Sequence, residues 1–137
     1  MEKIIKIESV TFKKKEDDYT EYEGYQIITD KQTIKLAIDN GGQCCENFGY
    51  FMSEDNIEEF VGASLISVEV VDTLLNTEKL KTNCNSYGSD WDDTYVMFVN
   101  INTDKGLLQF VAYNEHNGYY GHEALVISEQ LNHSETL

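Results

Sequence analysis

The sequence predicts a mainly β fold of the α+β kind, an antiparallel curved sheet or small sandwich with one short helix packed on it. Seven or eight short runs are rich in β-branched and aromatic residues, turn signals built from Gly, Asn and Asp separate them, and only one segment reads as a convincing helix. At 137 residues the chain fits a single domain, 1–137, with one core. There is no proline, no internal repeat and no linker-like tract.

Residues 4–12 alternate and are β-branched, so they predict the first strand, with Ile5, Ile7 and Ser9 on one face and Ile4, Lys6, Glu8 and Val10 on the other. The run 13–18 of three lysines and three acids is a solvated loop. Runs 22–29 and 33–39, joined through Asp30-Lys31-Gln32, predict a hairpin. Beyond the turn signal Asn40-Gly41-Gly42, residues 44–52 are apolar enough for another strand or a structured loop. Ser53 or Asp55 can cap a helix over 56–61, with Gly62 as its stop. Residues 65–71 predict a strand with Ile66, Val68 and Val70 on one face, residues 77–82 a further short strand, and 83–93 a polar loop. Three consecutive antiparallel strands are expected at 95–101, 107–113 and 119–128, turning at Asp104-Lys105-Gly106 and Asn117-Gly118. The tail from about 131 to 137 is polar and expected to fray.

The charge excludes several function classes. All ten basic residues are lysine, so the planar fork that grips phosphate in two places is missing. Up to Lys35 there are seven lysines against eight acids, and beyond it three against seventeen, which puts net −14 of the total −15 in the later part. Such a field repels nucleic acid and favours a basic protein surface as partner. No run approaches the roughly 18 apolar residues of a membrane helix, and Met1-Glu2-Lys3 leads into a strand-like run rather than a signal peptide. The expected location is the cytoplasm, which suits three cysteines too few and too unevenly spaced for a disulfide scaffold.

Soft metal ligands gather in two segments, Cys44-Cys45-Glu46 and His116-Asn117-Gly118-Tyr119-Tyr120-Gly121-His122-Glu123. Zinc takes about four such groups in a tetrahedron, so one of Cys44 and Cys45 with His122, and with His116 or Cys84, makes a candidate site. Adjacent cysteines in extended chain point to opposite faces, and a two-residue turn at Asn117-Gly118 would also put His116 and His122 on opposite faces. A bulge at Gly121 would reunite the histidines. The competing readings are core-packing thiols with surface histidines, and thiol catalysis with Cys45 as nucleophile, His122 as base and Glu46 or Asp93 as orienting acid. The acidic surroundings disfavour the thiolate that catalysis needs. No calcium loop, Walker loop, dinucleotide fingerprint or nucleophile elbow is present, so the expectation is no enzyme and no catalytic residues. Two acidic sets are expected to face the partner: Glu54, Asp55, Glu58 and Glu59, and then Asp90, Asp92 and Asp93. Tyr87, Trp91 and Tyr95 beside the second set supply aromatic anchors.

Taken together, Gly42-Gln43-Cys44-Cys45-Glu46, Phe60-Val61-Gly62-Ala63 and Asn117-Gly118-Tyr119-Tyr120-Gly121-His122 resemble a small-domain family of Gram-positive bacteria and their phages. That family is a domain of unknown function with a paired-cysteine motif and an Asn-Gly-Tyr-Tyr-Gly-His motif, and the resemblance spans roughly residues 30–130. In size and acidity it is similar to phage-encoded anti-CRISPR proteins. The resemblance implies a stoichiometric inhibitor that binds the basic surface of a type II RNA-guided nuclease and blocks loading of target DNA, without contacting nucleic acid itself.

Overall fold

The computed structural model describes residues 2–15, 19–41, 47–83, 94–115 and 121–137. Nine strands are present among them: β1 (Ile4–Phe12), β2 (Tyr22–Thr29), β3 (Thr33–Asp39), β4 (Asn47–Met52), β5 (Leu65–Val71), β6 (Thr94–Thr103), β7 (Gly106–Glu115), β8 (Glu123–Ile127) and β9 (Asn132–Thr136). They make two antiparallel sheets, ordered β1-β2-β3-β8-β9 and β4-β7-β6-β5. The main core lies between the sheets and includes Ile27, Ile34, Leu36, Val99, Ile101, Leu108 and Phe110, all fully buried. The fold is therefore a small β-sandwich.

The first strand does not bury the face that simple alternation predicts. Ile4 and Ile7 enter the core while Ile5 is 56% exposed, because the register of β1 shifts between Ile4 and Lys6. β5 repeats the device: Leu65 and Val68 are buried and Ile66 is 62% exposed, with a shift between Leu65 and Ser67. A bulge inserts one residue, so positions three apart come to share a face. Both bulges sit where the two edge strands meet. Ile4 N–H donates to Ala63 O (2.9 Å), Gly62 N–H to Ile4 O (2.7 Å) and Leu65 N–H to Glu2 O (2.8 Å). This corner joins the sheets along one side.

The chain from β7 to β8 departs from the expected hairpin. β7 pairs with β4 and β6 in one sheet and β8 with β3 and β9 in the other, so the connection crosses between sheets and the three strands are not consecutive neighbours. Periodicity alone cannot distinguish a hairpin from a crossover, since both leave the flanking strands with the same alternation. The β6–β7 hairpin does form, with Thr103 opposite Gly106 and Gly106 at φ 132°, a conformation that only glycine takes readily.

The helix packed on the sandwich is α1 (Thr77–Asn83), where a strand was expected. Asn76 Oδ1 accepts the Lys79 N–H (3.1 Å), an N-cap that starts the helix, and Leu80 is its one buried residue. Leu80 fills a second apolar cluster with Phe51, Phe98, Val111 and Tyr113 on the outer face of the β4–β7 sheet. The expected helix over 56–61 is a single 3-10 turn at Ile57–Phe60 without a side-chain cap. Nor does the tail fray. Residues 132–136 form β9, and Leu137 is buried in the main core. The hairpin β8–β9 closes through Ser128, whose Oγ accepts the Leu131 N–H (2.9 Å).

Gly24 in β2 marks the tightest strand contact. A β-carbon there would collide with the Leu36 carbonyl and stand 2.8 Å from the Ala37 Cα. Backbone cannot yield as a side-chain tip can, so Gly24→Ala should destabilise the fold by about 3 kcal/mol. Urea unfolding checks this, with Gly41→Ala, whose nearest neighbour among the described residues is a side-chain oxygen at 3.9 Å, as the mild control.

Candidate functional site

Three chain segments open and close at one end of the sandwich. Asn47 at the start of β4 and Thr94 at the start of β6 are both in register with Glu115 at the end of β7. The Asn47 side-chain amide donates to Asn83 O and to Glu115 Oε1, each at 2.7 Å. These contacts bring the anchors of segments 42–46, 84–93 and 116–120 together. Cys44, Cys45, Cys84, His116, Tyr87, Asp90, Trp91, Asp92 and Asp93 belong to those segments and lie outside the described residues. The hairpin argument for separating His116 from His122 loses its premise, because β7 and β8 belong to different sheets.

His122 is the one metal-candidate residue among the described residues, and it is buried at 1% exposure. Its backbone is clamped by Leu137, with His122 N–H donating to Leu137 O (3.0 Å) and Leu137 N–H to His122 O (2.7 Å). The ring stacks on Phe48 of the opposite sheet, centroids 4.0 Å apart and planes inclined by 23°. Nδ1 lies 2.6 Å from Asp39 Oδ1 and 2.9 Å from Asp39 O, so it carries a proton between two acceptors. In the neutral ring the lone pair then belongs to Nε2. Asp39 is itself held, since its Oδ2 accepts the Glu123 N–H at 2.7 Å. A carboxylate-oriented imidazole of this kind can ligate a metal through Nε2 or serve as a base. Among the described residues no three His, Cys, Asp or Glu side chains group as a metal site.

Acids surround this pair. Asn40 Nδ2 donates to Glu21 Oε1 (3.1 Å) and Glu23 Oε2 (3.3 Å), and Glu21, Asp39, Asn40 and Gly121 line a hollow of about 280 Å³. Burial, followed by the charge of Glu23, pushes the Tyr50 phenol up to about 12. Beside them Glu123 Oε1 accepts from Lys14 Nζ and Tyr22 OH, both at 2.6 Å. The Lys14 and Tyr22 hydrogen bonds hold the Glu123 carboxyl below its ordinary range, and the Glu123 hydrogen bond raises the Lys14 ammonium.

Only the first of the two acidic sets expected to face the partner lies among the described residues. Glu54, Asp55, Glu58 and Glu59 are exposed, but they follow β4 at its far end from Asn47. Six residues of extended strand place about 17 Å between those ends. Asp55 is also paired with Lys79 at 2.7 Å. Tyr95, 38% exposed on β6, stands at the loop end. Sequence reasoning missed Asp39, Phe48, Glu21 and Glu23. An acid closing a strand directly before Asn40-Gly41-Gly42 was the available signal for Asp39.

Two antiparallel sheets packed face to face, with the ends of β4, β6 and β7 held together at one end, place the chain in the β-sandwich class. The family model for the domain of unknown function DUF7448 matches residues 1–126, and the chain belongs to that family. The match takes in β1 and β2, ahead of the residues that carried the resemblance. No curated protein and no solved structure matches the chain. No helix among the described residues is long and apolar enough to cross a membrane.

The Glu123 cluster sets a pH dependence. A carboxyl whose folded pKa is depressed contributes stability above its unfolded value, near 4.5, and loses that contribution as pH falls through the folded value. Glu123→Gln should therefore lower Tm at pH 7, and the gap to wild type should narrow as pH falls below 4.5. Thermal melts of both proteins across pH 3–7 check it.

Proposed function

We propose that this domain is an acidic protein-binding module that acts by covering a lysine- and arginine-lined surface of another protein. The observation that carries the reading is the convergence of three segment anchors at one end, where Glu21, Glu23, Asp39, Glu115 and Glu123 already stand. The sequence of the segments that leave those anchors contains Glu46, Asp90, Asp92 and Asp93, with Tyr87 and Trp91 as the aromatic residues suited to a desolvated centre. Dense negative charge speeds encounter with a basic partner, and aromatic anchors supply the specificity that charge alone lacks.

In its specific form the partner is a type II RNA-guided nuclease, and the domain is a phage-type inhibitor working in the cytoplasm of the bacterial host. Such nucleases hold nucleic-acid backbones in positively charged channels, so an acidic domain seated there blocks target-DNA loading without chemistry of its own. Titration of a type II nuclease should show loss of target-DNA binding near one inhibitor per enzyme, independent of incubation time. Replacing Asp90, Asp92 and Asp93 with Asn should slow association and flatten its salt dependence, while Glu58→Gln with Glu59→Gln should do neither. Turnover at substoichiometric amounts, abolished by Cys45→Ser, would support a thiol enzyme instead.

A second reading is favoured by the Asp39–His122 pair: the loop end carries a structural zinc, held by His122 with Cys44 or Cys45 and with His116 or Cys84. Nδ1 bound to a carboxylate is the arrangement that orients a metal-ligating histidine. Protein purified without chelator should then hold one zinc by elemental analysis. Asp39→Asn should weaken zinc binding about 10–100-fold in a competition assay with a chromophoric chelator. Metal-free protein with an unchanged Tm in chelator would exclude this reading and leave the binding module intact.

A further inference from the structure

Every open sheet leaves edge strands whose backbone groups can pair with another chain, and proteins guard them with a covering helix, charged side chains, bulges or brevity. The four edges of this sandwich are guarded unequally. α1 lies along β4: Asn76 Nδ2 donates to Ser53 O (2.9 Å), Lys79 Nζ to Met52 O (2.7 Å) and, at the other end, Asn47 Nδ2 to Asn83 O (2.7 Å). β9 has five residues and turns His133 and Glu135 toward the sandwich interior, since they stand opposite Val126 and Ala124 of the main core. β1 carries Lys6 and Glu8 directly after its bulge. β5 has its bulge only at the corner with β1, between Leu65 and Ser67. Over 67–71 it pairs continuously with β6, holds no lysine, and among the described residues finds no backbone partner beyond β6.

The side chains of this stretch suit an added strand. Val70, opposite Val99, packs against the main core, while Val71, opposite Phe98, packs against the outer cluster, and both are only half-buried. They lie on opposite faces of the sheet, so no single side chain covers both, whereas an extended strand presents alternate side chains to each face. Charge sets the chemistry of that strand. Glu69, on the same face as Val71, and Asp72 just beyond are exposed and form no ion pair among the described residues. No basic residue stands between Lys35 and Lys79 in the sequence. A second copy of this chain is a poor occupant, because its β5 brings no cation to Glu69 and net −15 repels its own kind. We propose that β5 receives, by strand addition along 67–71, an extended segment of the protein partner in which basic and apolar residues alternate. Its apolar side chains cover Val68 and Val70 on the core face, and its basic side chains lie along Val71 with their charges toward Glu69 on the outer face. The inference rests on the basic-partner reading and adds to it a backbone contact. β5 runs toward the loop end, where Val71 pairs with Phe98 near the opening of β6 at Thr94.

The test uses the full chain, 15N-labelled, titrated at pH 7.5 with acetyl-Lys-Val-Arg-Val-Lys-amide and with the same peptide methylated at every backbone nitrogen. Amide shifts and new protection from hydrogen exchange should concentrate at 67–71. The methylated peptide keeps its charge and side chains but has no backbone donor, and should bind about tenfold more weakly. Glu69→Lys, which sets a guarding charge of the wrong sign on the edge, should abolish binding while amide shifts away from β5 stay as in wild type. Equal binding of the two peptides by the wild-type chain, shifts centred away from β5, or a Glu69→Lys protein that binds as wild type does would each overturn strand addition while leaving a basic partner in place. Absence of binding by the unmethylated peptide would overturn it too. Protection at 67–71 that grows with the concentration of the free protein would overturn it in favour of a second copy. Failure of the nuclease titration is the separate result that removes the nuclease form of the underlying reading and leaves addition to β5 standing.

Discussion

Closure of the sandwich at its loop end depends on one buried imidazole. His122 joins three parts of the molecule: its Nδ1 is fastened to Asp39 at the end of β3, its ring lies on Phe48 of the other sheet, and its backbone grips Leu137. Leu137 O also accepts from Asn114 Nδ2 (3.1 Å), which ties β7 to the same point. A ring removed from water needs partners for its polar atoms, and the Asp39 carboxylate supplies one while being fixed in turn by the Glu123 amide. The site and the fold thus share their groups: the residues that orient His122 are the residues that hold the two sheets together at this end.

The other sides are managed differently. At the β1–β5 corner, paired bulges turn two edge strands toward each other, so backbone groups that would face water find partners across the sheets. On the outer face of the β4–β7 sheet a polar knot does comparable work. Gln109 is 1% exposed, and its amide nitrogen donates to Thr73 O and Asn100 Oδ1 (2.8 Å each) while its oxygen accepts the Leu75 N–H (2.9 Å). These bonds pin the chain between β5 and α1, and so deliver Leu80 to its apolar cluster.

Charge acquires meaning from this framework. The early lysines spread over the β1–β2–β3 sheet, where Lys14 meets Glu123 and Lys35 lies 4.5 Å over the Phe12 ring, while the acids after Lys35 have few cations to meet. Unneutralised carboxylates raise the cost of the compact state through repulsion, and a basic partner relieves it on binding. That is the physical link between the composition and the binding reading.

Strand positions were legible because each strand needs one apolar face, and that need leaves a period of two in the residues. Seven of the nine strands among the described residues overlap segments expected from alternation and turn signals; β4 overlaps the segment that reads as strand or loop, and β9 falls in the polar tail expected to fray. The acidic imbalance and the clustering of Cys44, Cys45, His116 and His122 in turn-like segments were equally plain. Sequence could not reveal which sheet each strand joins, because alternation is identical in a hairpin and in a crossover, and so β8 was assigned to the wrong neighbour. The bulges in β1 and β5 were invisible for a related reason: one inserted residue changes which face is buried without changing the residues themselves. Asp39 as the partner of His122 is separated from it by 83 positions. Only the packing of β3 beside β8 makes them neighbours, since local patterning carries no information about which distant strand end comes to lie within hydrogen-bond reach.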